Sequence, residues 1–310
     1  MNFSDRLAKA IKEKNNPTVL GLDPKLEFIP DSIKKACFKD CDCSFKAAAK
    51  SIVEFNIGLM DATYDIIPAV KPQVAYYEML GPEGISALNQ TIQYAKQRGF
   101  VVIADGKRND IGPTAEAYSC AFLGKTSLLD TKRDVFNADA LTVNAYLGVD
   151  GIKPFLNDCT QEEKGIFILV KTSNPSSGQL QDMKLEDGRR VYEMMADLVN
   201  QWGEPLIGDC GYSSVGAVVG ATYPEQLKTL RERMPKAWFL VPGYGAQGGG
   251  AKDVAAAFDK NGLGAIVNAS RSLMCAYKLD FWKDRFTSED FREAARAEAI
   301  RMRDDILSVI

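Results

Sequence analysis

Residues 100–114 of the chain read Phe100-Val101-Val102-Ile103-Ala104-Asp105-Gly106-Lys107-Arg108-Asn109-Asp110-Ile111-Gly112-Pro113-Thr114. The apolar residues at the start of this stretch favour a buried β-strand. Acid, base and acid follow at positions 105, 107 and 110. Because side chains alternate along a strand with period two, we expect Asp105 and Lys107 to project to the same side. For an isolated motif of this kind, a solvated loop with a surface ion pair is the plainer explanation.

The composition is typical of a globular protein with a sizeable core: 46% of the residues are hydrophobic and 25% are charged. A net charge of -3 argues against a nucleic-acid-binding surface. No apolar segment reaches the roughly 18 residues that a membrane span needs, so no membrane partner is expected. Residues 1–15 also lack the basic-then-apolar order of a signal peptide, and we predict a cytoplasmic protein.

Cysteine and histidine usage limits the possible chemistry. The seven cysteines form no Cys-x-x-Cys pair, and their odd number favours reduced thiols over a disulfide framework. Cys41 and Cys43 form the only cluster, which is weak support for a metal site. The chain has no histidine, which excludes Ser-His-Asp and Cys-His catalysis and every imidazole-bound metal. Acid–base work must therefore fall to Lys, Asp, Glu, Tyr or Cys.

Short β-favouring runs alternate with helical patterns along the chain. Eight runs are predicted strands: Thr18–Asp23, Ala69–Gln73, Phe100–Asp105, Ala140–Asn144, Gly165–Thr172, Val215–Ala221, Trp238–Pro242 and Gly264–Ala269. Predicted helices between them include Phe45–Tyr64, Pro82–Arg98, Thr114–Leu123, Val191–Trp202, Pro224–Met234 and Asp253–Lys260. Such alternation indicates an α/β fold with a parallel sheet. Eight units in a chain of this length favour a (β/α)₈ TIM barrel over a doubly wound sheet.

We predict a single domain over residues 1–310, with the barrel core at about 18–272 and C-terminal helices in 282–310. The N-terminal residues Phe3, Leu7, Ala10 and Ile11 mark one face of a helix that caps the barrel. Three segments have the character of insertions: 28–44, 124–134 and 174–188. Loops of that length are commonly functional lids or disordered segments.

Charged and amide side chains follow the predicted strands, where a barrel of this kind places its active site. The residues at these ends are Asp23, Lys71, Asp105, Lys107, Asn144, Ser173, Gln247 and Arg271. The last two loops, Pro242–Gly250 and Asn268–Arg271, have the character of a phosphate site. Glycines let the backbone approach an anion closely, and an arginine fork matches phosphate oxygens. A purely structural glycine-rich turn is the alternative.

Six ordered motifs give the chain a family resemblance: Gly21-Leu22-Asp23-Pro24, Val70-Lys71-Pro72-Gln73, Asp105-Gly106-Lys107-Arg108-Asn109-Asp110-Ile111, Thr172-Ser173-Asn174-Pro175, Val241-Pro242-Gly243-Tyr244-Gly245-Ala246-Gln247 and Ser270-Arg271. With them, residues 18–272 resemble the orotidine 5′-phosphate decarboxylase family. The run Gly220-Ala221-Thr222-Tyr223-Pro224-Glu225 is similar to that of its longer bacterial branch. Two positions depart from the branch pattern, because alanine is more usual than Gly106 and proline more usual than Ala145.

The resemblance implies decarboxylation of orotidine 5′-phosphate to UMP and CO₂, the last step of de novo pyrimidine nucleotide synthesis, with neither a metal nor an organic cofactor. It implies that Lys107 protonates C6 of the pyrimidine and that Asp105 lies beside the departing carboxylate. Lys71 would hold Asp105 in place. Asp110 would reach the active site of a partner subunit, so the resemblance implies a homodimer with shared sites.

The resemblance also implies the substrate-binding set. Asp23 would bind a ribose hydroxyl, Ser173 the amide edge of the pyrimidine, and Gln247 with Arg271 the phosphate. The further members implied are Lys71, Ile111, Thr114, Pro242 and Ser270.

Two other functions stay open at this point. A phosphosugar decarboxylase of the same barrel group uses a similar Asp-x-Lys-x-x-Asp motif with Mg²⁺, but it needs an acidic ligand where this chain has Lys71. A non-catalytic nucleotide-binding barrel is the second alternative. Such a barrel gains nothing from the clustered charges of Asp105, Lys107 and Asp110.

Overall fold

The computed structural model describes residues 1–39, 44–245 and 250–310. In these ranges, eight parallel strands close into a barrel, with β1 beside β10 and the remaining neighbours in chain order. They are β1 (Thr18–Leu22), β2 (Ala69–Pro72), β3 (Val101–Arg108), β6 (Ala140–Val143), β7 (Gly165–Lys171), β8 (Ser213–Val219), β9 (Ala237–Val241) and β10 (Ala265–Ala269). All eight correspond to predicted strands, and the predicted TIM barrel is confirmed.

Helices lie between the strands in the expected alternation. They are α1 (Phe3–Lys14), α2 (Asp31–Phe38), α3 (Phe45–Thr63), α4 (Ala75–Glu78), α5 (Gly81–Gln97), α6 (Gly112–Phe122), α7 (Val149–Gln161), α8 (Gly178–Gln181), α9 (Val191–Gly203), α10 (Pro224–Arg233), α11 (Ala251–Val254), α12 (Arg271–Met274) and α13 (Phe291–Leu307). The predicted helix Asp253–Lys260 is wrong. The α-helix there ends at Val254, and a single 3₁₀ turn follows over Ala255–Ala257.

Helix α1 packs its apolar face against the interior of the barrel, as expected for a capping helix. Phe3 and Leu7 are fully buried, and the Phe3 ring meets the Phe167 ring edge-on with centroids 5.9 Å apart. Gly165, the first residue of β7, makes room for this ring, because a Cβ there would lie 2.1 Å from Phe3 Cδ1. The barrel is therefore closed at the ends where its strands begin, and its other end stays open for a site.

The three predicted insertions contain secondary structure of their own. Segment 124–134 forms an antiparallel hairpin of β4 (Thr126–Leu128) and β5 (Thr131–Arg133). Segment 28–44 contains α2, while Cys41 and Cys43 lie outside the described residues. Segment 174–188 contains a 3₁₀ turn and the short helix α8. Residues 282–310 are all described, and they contain one 3₁₀ turn followed by the long helix α13.

None of the helices in the described ranges is both long and apolar enough to cross a membrane.

Candidate active site

A cavity of about 870 Å³ opens where the barrel strands end. It brings together most of the predicted site residues: Asp23, Lys71, Asp105, Lys107, Ser173, Pro242, Ser270 and Arg271. These residues belong to or follow six different strands, so their convergence depends on closure of the barrel. The position of the cavity agrees with the rule that TIM barrels carry their sites at the carboxyl ends of the strands.

Charges alternate along one wall of the cavity. The Nζ atom of Lys71 lies 2.7 Å from Asp105 Oδ2 and 3.9 Å from Asp23 Oδ1. The Nζ atom of Lys107 lies 2.6 Å from Asp105 Oδ1. Lys71 and Asp105 are buried, whereas 46% of the Lys107 side chain is exposed. Of the two lysines, Lys107 is therefore the one whose side chain is accessible to a bound molecule.

Two residues that the sequence analysis did not assign to the site complete the surroundings of Asp105. Gln73 Nε2 donates to Asp105 Oδ2 at 2.9 Å, and Thr142 Oγ1 donates to Asp105 Oδ1 at 2.8 Å. Both side chains line the cavity. The period-two rule could have found Gln73, because it lies two residues beyond Lys71 at the end of β2. Thr142 gave no comparable signal, since an uncharged threonine inside an apolar strand looks like a core residue.

The protonation states follow from this packing. Burial by itself would raise the pKa of the Asp105 carboxyl, but the ammonium groups of Lys71 and then Lys107 outweigh it and hold that pKa well below its usual range. Burial likewise would lower the pKa of Lys71, and the carboxylates of Asp105 and Asp23 instead raise it. We conclude that Asp105 is ionised and Lys71 is protonated near neutral pH.

The backbone at Lys107 departs from a regular strand. Lys107 adopts a left-handed conformation with φ of 46°, and the register between β3 and β6 shifts between Ala104 and Arg108. A non-glycine residue rarely takes this conformation without support from its surroundings. Here the Lys107 N–H donates to Thr142 Oγ1 at 3.0 Å. Asp105 and Lys107 do meet on one side, but a bulge brings them together rather than the even pleat that we expected.

Asp110, Ile111 and Thr114 are not among the described residues that line the cavity. Asp110 Oδ1 accepts a hydrogen bond from the Ile111 N–H at 2.8 Å, which turns the carboxylate toward the start of α6. Ile111 is 51% exposed, and Thr114 is also exposed. Within one chain these three predicted residues therefore lie on the outer surface beside the site.

Residues of both predicted phosphate loops line the same cavity. Gly243 and Gly245 take φ angles of 106° and 74°, which glycine tolerates without strain. Gln247 lies outside the described residues. Ser270 precedes α12, and its hydroxyl accepts from Asn268 Nδ2 at 3.3 Å. Pro242, Gly243, Ser270 and Arg271 all line this cavity.

Two glycines of the resemblance motifs have a steric reason to be glycine. A Cβ on Gly21 would lie 2.0 Å from Ser270 Oγ, and a Cβ on Gly220 would lie 2.8 Å from Ser173 Cβ. Each glycine therefore lets a neighbouring site residue approach the strand ends closely.

The prediction that Asn144 faces the site is wrong. Strand β6 ends at Val143, and Asn144 lies in a turn where its Oδ1 accepts from the Tyr146 N–H at 3.0 Å. Because the strand stops one residue earlier than predicted, the period-two pattern no longer applies at position 144. The side chain that β6 contributes to the cavity is Thr142.

No group of three or more Cys, Asp or Glu side chains with the arrangement of a metal site occurs among the described residues. Three of the described residues that line the cavity are acidic, Asp23, Glu27 and Asp105. The Lys71 ammonium lies between the two aspartates. A divalent cation bridging these carboxylates would have to displace that ammonium.

Comparisons with known proteins agree with the motifs. The sequence profile described as the orotidine 5′-phosphate decarboxylase / HUMPS family matches residues 45–278. A Rhodopirellula baltica protein named orotidine 5′-phosphate decarboxylase is 44% identical over 306 residues, which cover 99% of both chains. A Caldicellulosiruptor bescii protein of the same name is 45% identical over 303 residues, covering 96% of this chain and 99% of its own.

Comparison of the fold with a solved structure indicates the same family. The solved structure of OMP decarboxylase from Leishmania donovani covers 100% of this chain with 98% of its own, at a TM-score of 0.71 and 30% identity. The resemblance found in the strand-end motifs is therefore confirmed at the level of whole sequence and whole fold. The chain belongs to the orotidine 5′-phosphate decarboxylase family and is an enzyme of the carboxy-lyase class.

Proposed function

We propose that the chain decarboxylates orotidine 5′-phosphate to UMP and CO₂ and thereby completes de novo pyrimidine nucleotide synthesis. The observation that carries the proposal is the alternating series Asp23, Lys71, Asp105 and Lys107, placed at the open end of the barrel with one accessible ammonium. The names of relatives that match over the whole chain support the same substrate.

The reaction needs stabilisation of negative charge at C6 of the pyrimidine. The bond between C6 and the carboxylate breaks, CO₂ leaves, and the electron pair stays on C6. Lys107 then gives a proton to C6, and the neutral amine regains a proton from water. A fixed ammonium beside the developing charge stabilises it most effectively where water is scarce. The 2.6 Å contact with Asp105 holds the Lys107 ammonium at one place in the cavity.

Asp105 is the fixed centre of this mechanism. It accepts hydrogen bonds from the described side chains of Lys71, Gln73, Lys107 and Thr142, so its carboxylate cannot turn away when substrate arrives. The substrate carboxylate would lie beside this fixed negative charge, and the repulsion would ease as CO₂ leaves. A preorganised group of this kind needs no reorientation during the reaction.

Binding of the nucleotide would use the rest of the cavity. Asp23 lines the cavity and its side chain is 26% exposed, so its carboxylate would accept a hydrogen bond from a ribose hydroxyl. Ser173 also lines the cavity and would bind the amide edge of the pyrimidine. The phosphate would lie against Arg271, Ser270 and the loop from Pro242, with Gln247 as a further predicted contact. Binding energy from this remote phosphate would help to order the reacting end of the site.

We further propose a homodimer that shares its active sites. The face beside the cavity exposes Ile111, Tyr146, Leu147 and Val149. These belong to neighbouring segments because Gly151 lies against the Asp110 carbonyl and the Asn109 side chain. A contiguous apolar patch of this kind marks a protein interface. A twofold axis through it would carry Asp110 and Thr114 of one subunit toward the cavity of the other. The cytoplasmic location also stays a prediction.

The assay that tests the proposal follows the loss of orotidylate absorbance with purified protein, with and without EDTA, and identifies the product by chromatography. We expect UMP at the same rate in both conditions. Loss of activity with EDTA would favour the Mg²⁺-dependent phosphosugar class, in which a phosphosugar acid would be the better substrate. Tight UMP binding without turnover would favour a nucleotide-binding barrel.

A further inference from the structure

We propose that the C-terminal helix α13 positions the phosphate-binding loop, with Asp305 acting as a positioning residue through Tyr244. Tyr244 lies in the loop between Gly243 and Gly245, and its side chain is buried. Its hydroxyl donates to Asp305 Oδ2 of α13 at 2.5 Å. The proposal rests on the proposed phosphate role of this loop.

Helix α13 is well placed to act as a support because it is fixed at its beginning. The Phe291 ring packs against the Phe55 ring of α3 with centroids 5.0 Å apart. One turn later, Arg296 forms a bidentate ion pair with Asp65, with distances of 2.7 and 2.8 Å. The first half of α13 is thus attached to the side of the barrel.

Helix α13 also packs against the helices that follow the two phosphate loops. These are α11, which follows the loop from Pro242, and α12, which begins with Arg271. Met302 and Ile306 of α13 are fully buried. A single element therefore contacts the segments that follow both halves of the proposed phosphate site.

The family profile ends at residue 278, whereas α13 begins at Phe291. The support therefore lies outside the part of the chain that matches the profile. Burial raises the pKa of the Tyr244 hydroxyl, and the Asp305 carboxylate raises it further, so this hydroxyl stays a hydrogen-bond donor across the working pH range.

A physical reason links this contact to phosphate affinity. Glycine residues leave a loop with large conformational entropy, which binding must remove. The described part of the loop has Gly243 and Gly245 on either side of Tyr244. Anchoring Tyr244 to a fixed helix orders the described part of the loop, residues 242–245, before the ligand arrives, so that less of the phosphate interaction is spent on ordering.

Calorimetry with UMP and uridine tests the proposal on full-length variants. We expect Tyr244→Phe and Asp305→Ala each to weaken UMP binding about tenfold, as for loss of one hydrogen bond to a charged group. Uridine binding should change less than about twofold. Asp305→Asn keeps an acceptor and should restore most of the affinity. The double variant should be no weaker than either single variant, because both lose the same contact.

Asp304→Ala is the matched control. Asp304 is the preceding residue of the same helix, is exposed, and pairs with Arg303 instead of the loop. UMP affinities of Tyr244→Phe and Asp305→Ala within about twofold of this control would overturn the proposal. Equal weakening for UMP and uridine would overturn it as well. Arg271→Ala in the same series separates the two proposals: if only that variant loses affinity for UMP over uridine, the phosphate site stands and the helical support fails.

Discussion

Substitution of Thr142 by valine tests how Asp105 and Lys107 are held. The change keeps the shape of a buried strand residue and removes one hydroxyl. That hydroxyl donates to Asp105 Oδ1 at 2.8 Å and accepts from the Lys107 N–H at 3.0 Å. A hydrogen bond to a carboxylate contributes about 1.5–3 kcal/mol and a neutral one about 0.5–1.5 kcal/mol, so roughly 2–4 kcal/mol is at stake.

This energy is divided between folding and catalysis. Asp105 keeps three donors, Lys71, Gln73 and Lys107, whereas Lys107 loses the support for its left-handed backbone. If half of the loss appears in the barrier, kcat falls about tenfold, because each ~1.4 kcal/mol is one decade in rate. We expect KM for orotidine 5′-phosphate to change little, since Thr142 supports the reacting groups and not the phosphate.

Steady-state kinetics and urea unfolding of Thr142→Val and Thr142→Ser measure the effects on kcat and on stability. Serine keeps the hydroxyl and should restore most of kcat. Thr18→Val is the matched control, because Thr18 is also buried in a barrel strand but its hydroxyl has no hydrogen-bond partner among the described residues. A kcat for Thr142→Val within twofold of this control would refute the reasoning.

Three further predictions concern the charges. Arg271→Ala should weaken UMP binding by about 1.5–3 kcal/mol and hardly affect uridine; equal losses in titrations would place Arg271 elsewhere. Asp105→Asn should lower the free energy of unfolding at pH 7 by about 3–5 kcal/mol by leaving Lys71 without its buried partner. Because the pKa of Asp105 is depressed in the folded state, the stability that its carboxylate gives the wild type is present above pH ~4 and declines below it. The difference in unfolding free energy between the wild type and Asp105→Asn should therefore narrow on acidification. A difference that does not change with pH would contradict this. Mixing inactive Asp110→Ala with inactive Lys107→Ala should restore about a quarter of the activity if sites are shared, whereas confirmed subunit exchange without recovery would place Asp110 in its own site.

The barrel could be predicted because its strands are short apolar runs, and such runs favour buried strands wherever they occur in a sequence. Val101, Val102 and Ile103 are buried in β3 as the pattern required, and Phe3 and Leu7 fill the closed end. The ends of the helices were harder to predict from the sequence. Ala255–Ala257 has good helix formers, yet it forms only a 3₁₀ turn, because tertiary contacts outweigh a propensity of a few tenths of a kcal/mol per residue.

The site was predictable as far as charge marks it. Charged side chains are costly to bury. The signal for the site was the position of four of them, Asp23, Lys71, Asp105 and Lys107, at the ends of predicted strands. Thr142 was missed because its role depends on the bulge in β3, which no local pattern predicts. Tyr244 looked like part of a glycine-rich loop, and its partner Asp305 lies 61 residues away. Contacts of that kind are set by closure of the whole fold.

The central claim is that Lys107 protonates C6 of orotidine 5′-phosphate, and the turnover of Lys107→Ala tests it most directly. The variant should unfold cooperatively like the wild type and still bind UMP, because Lys107 is half exposed and is not among the residues proposed to bind the phosphate. Its rate in single-turnover assays should fall by at least about a thousandfold, as expected when a preorganised charge and the proton donor are both removed. A purified variant that keeps a tenth of the wild-type rate would contradict the account.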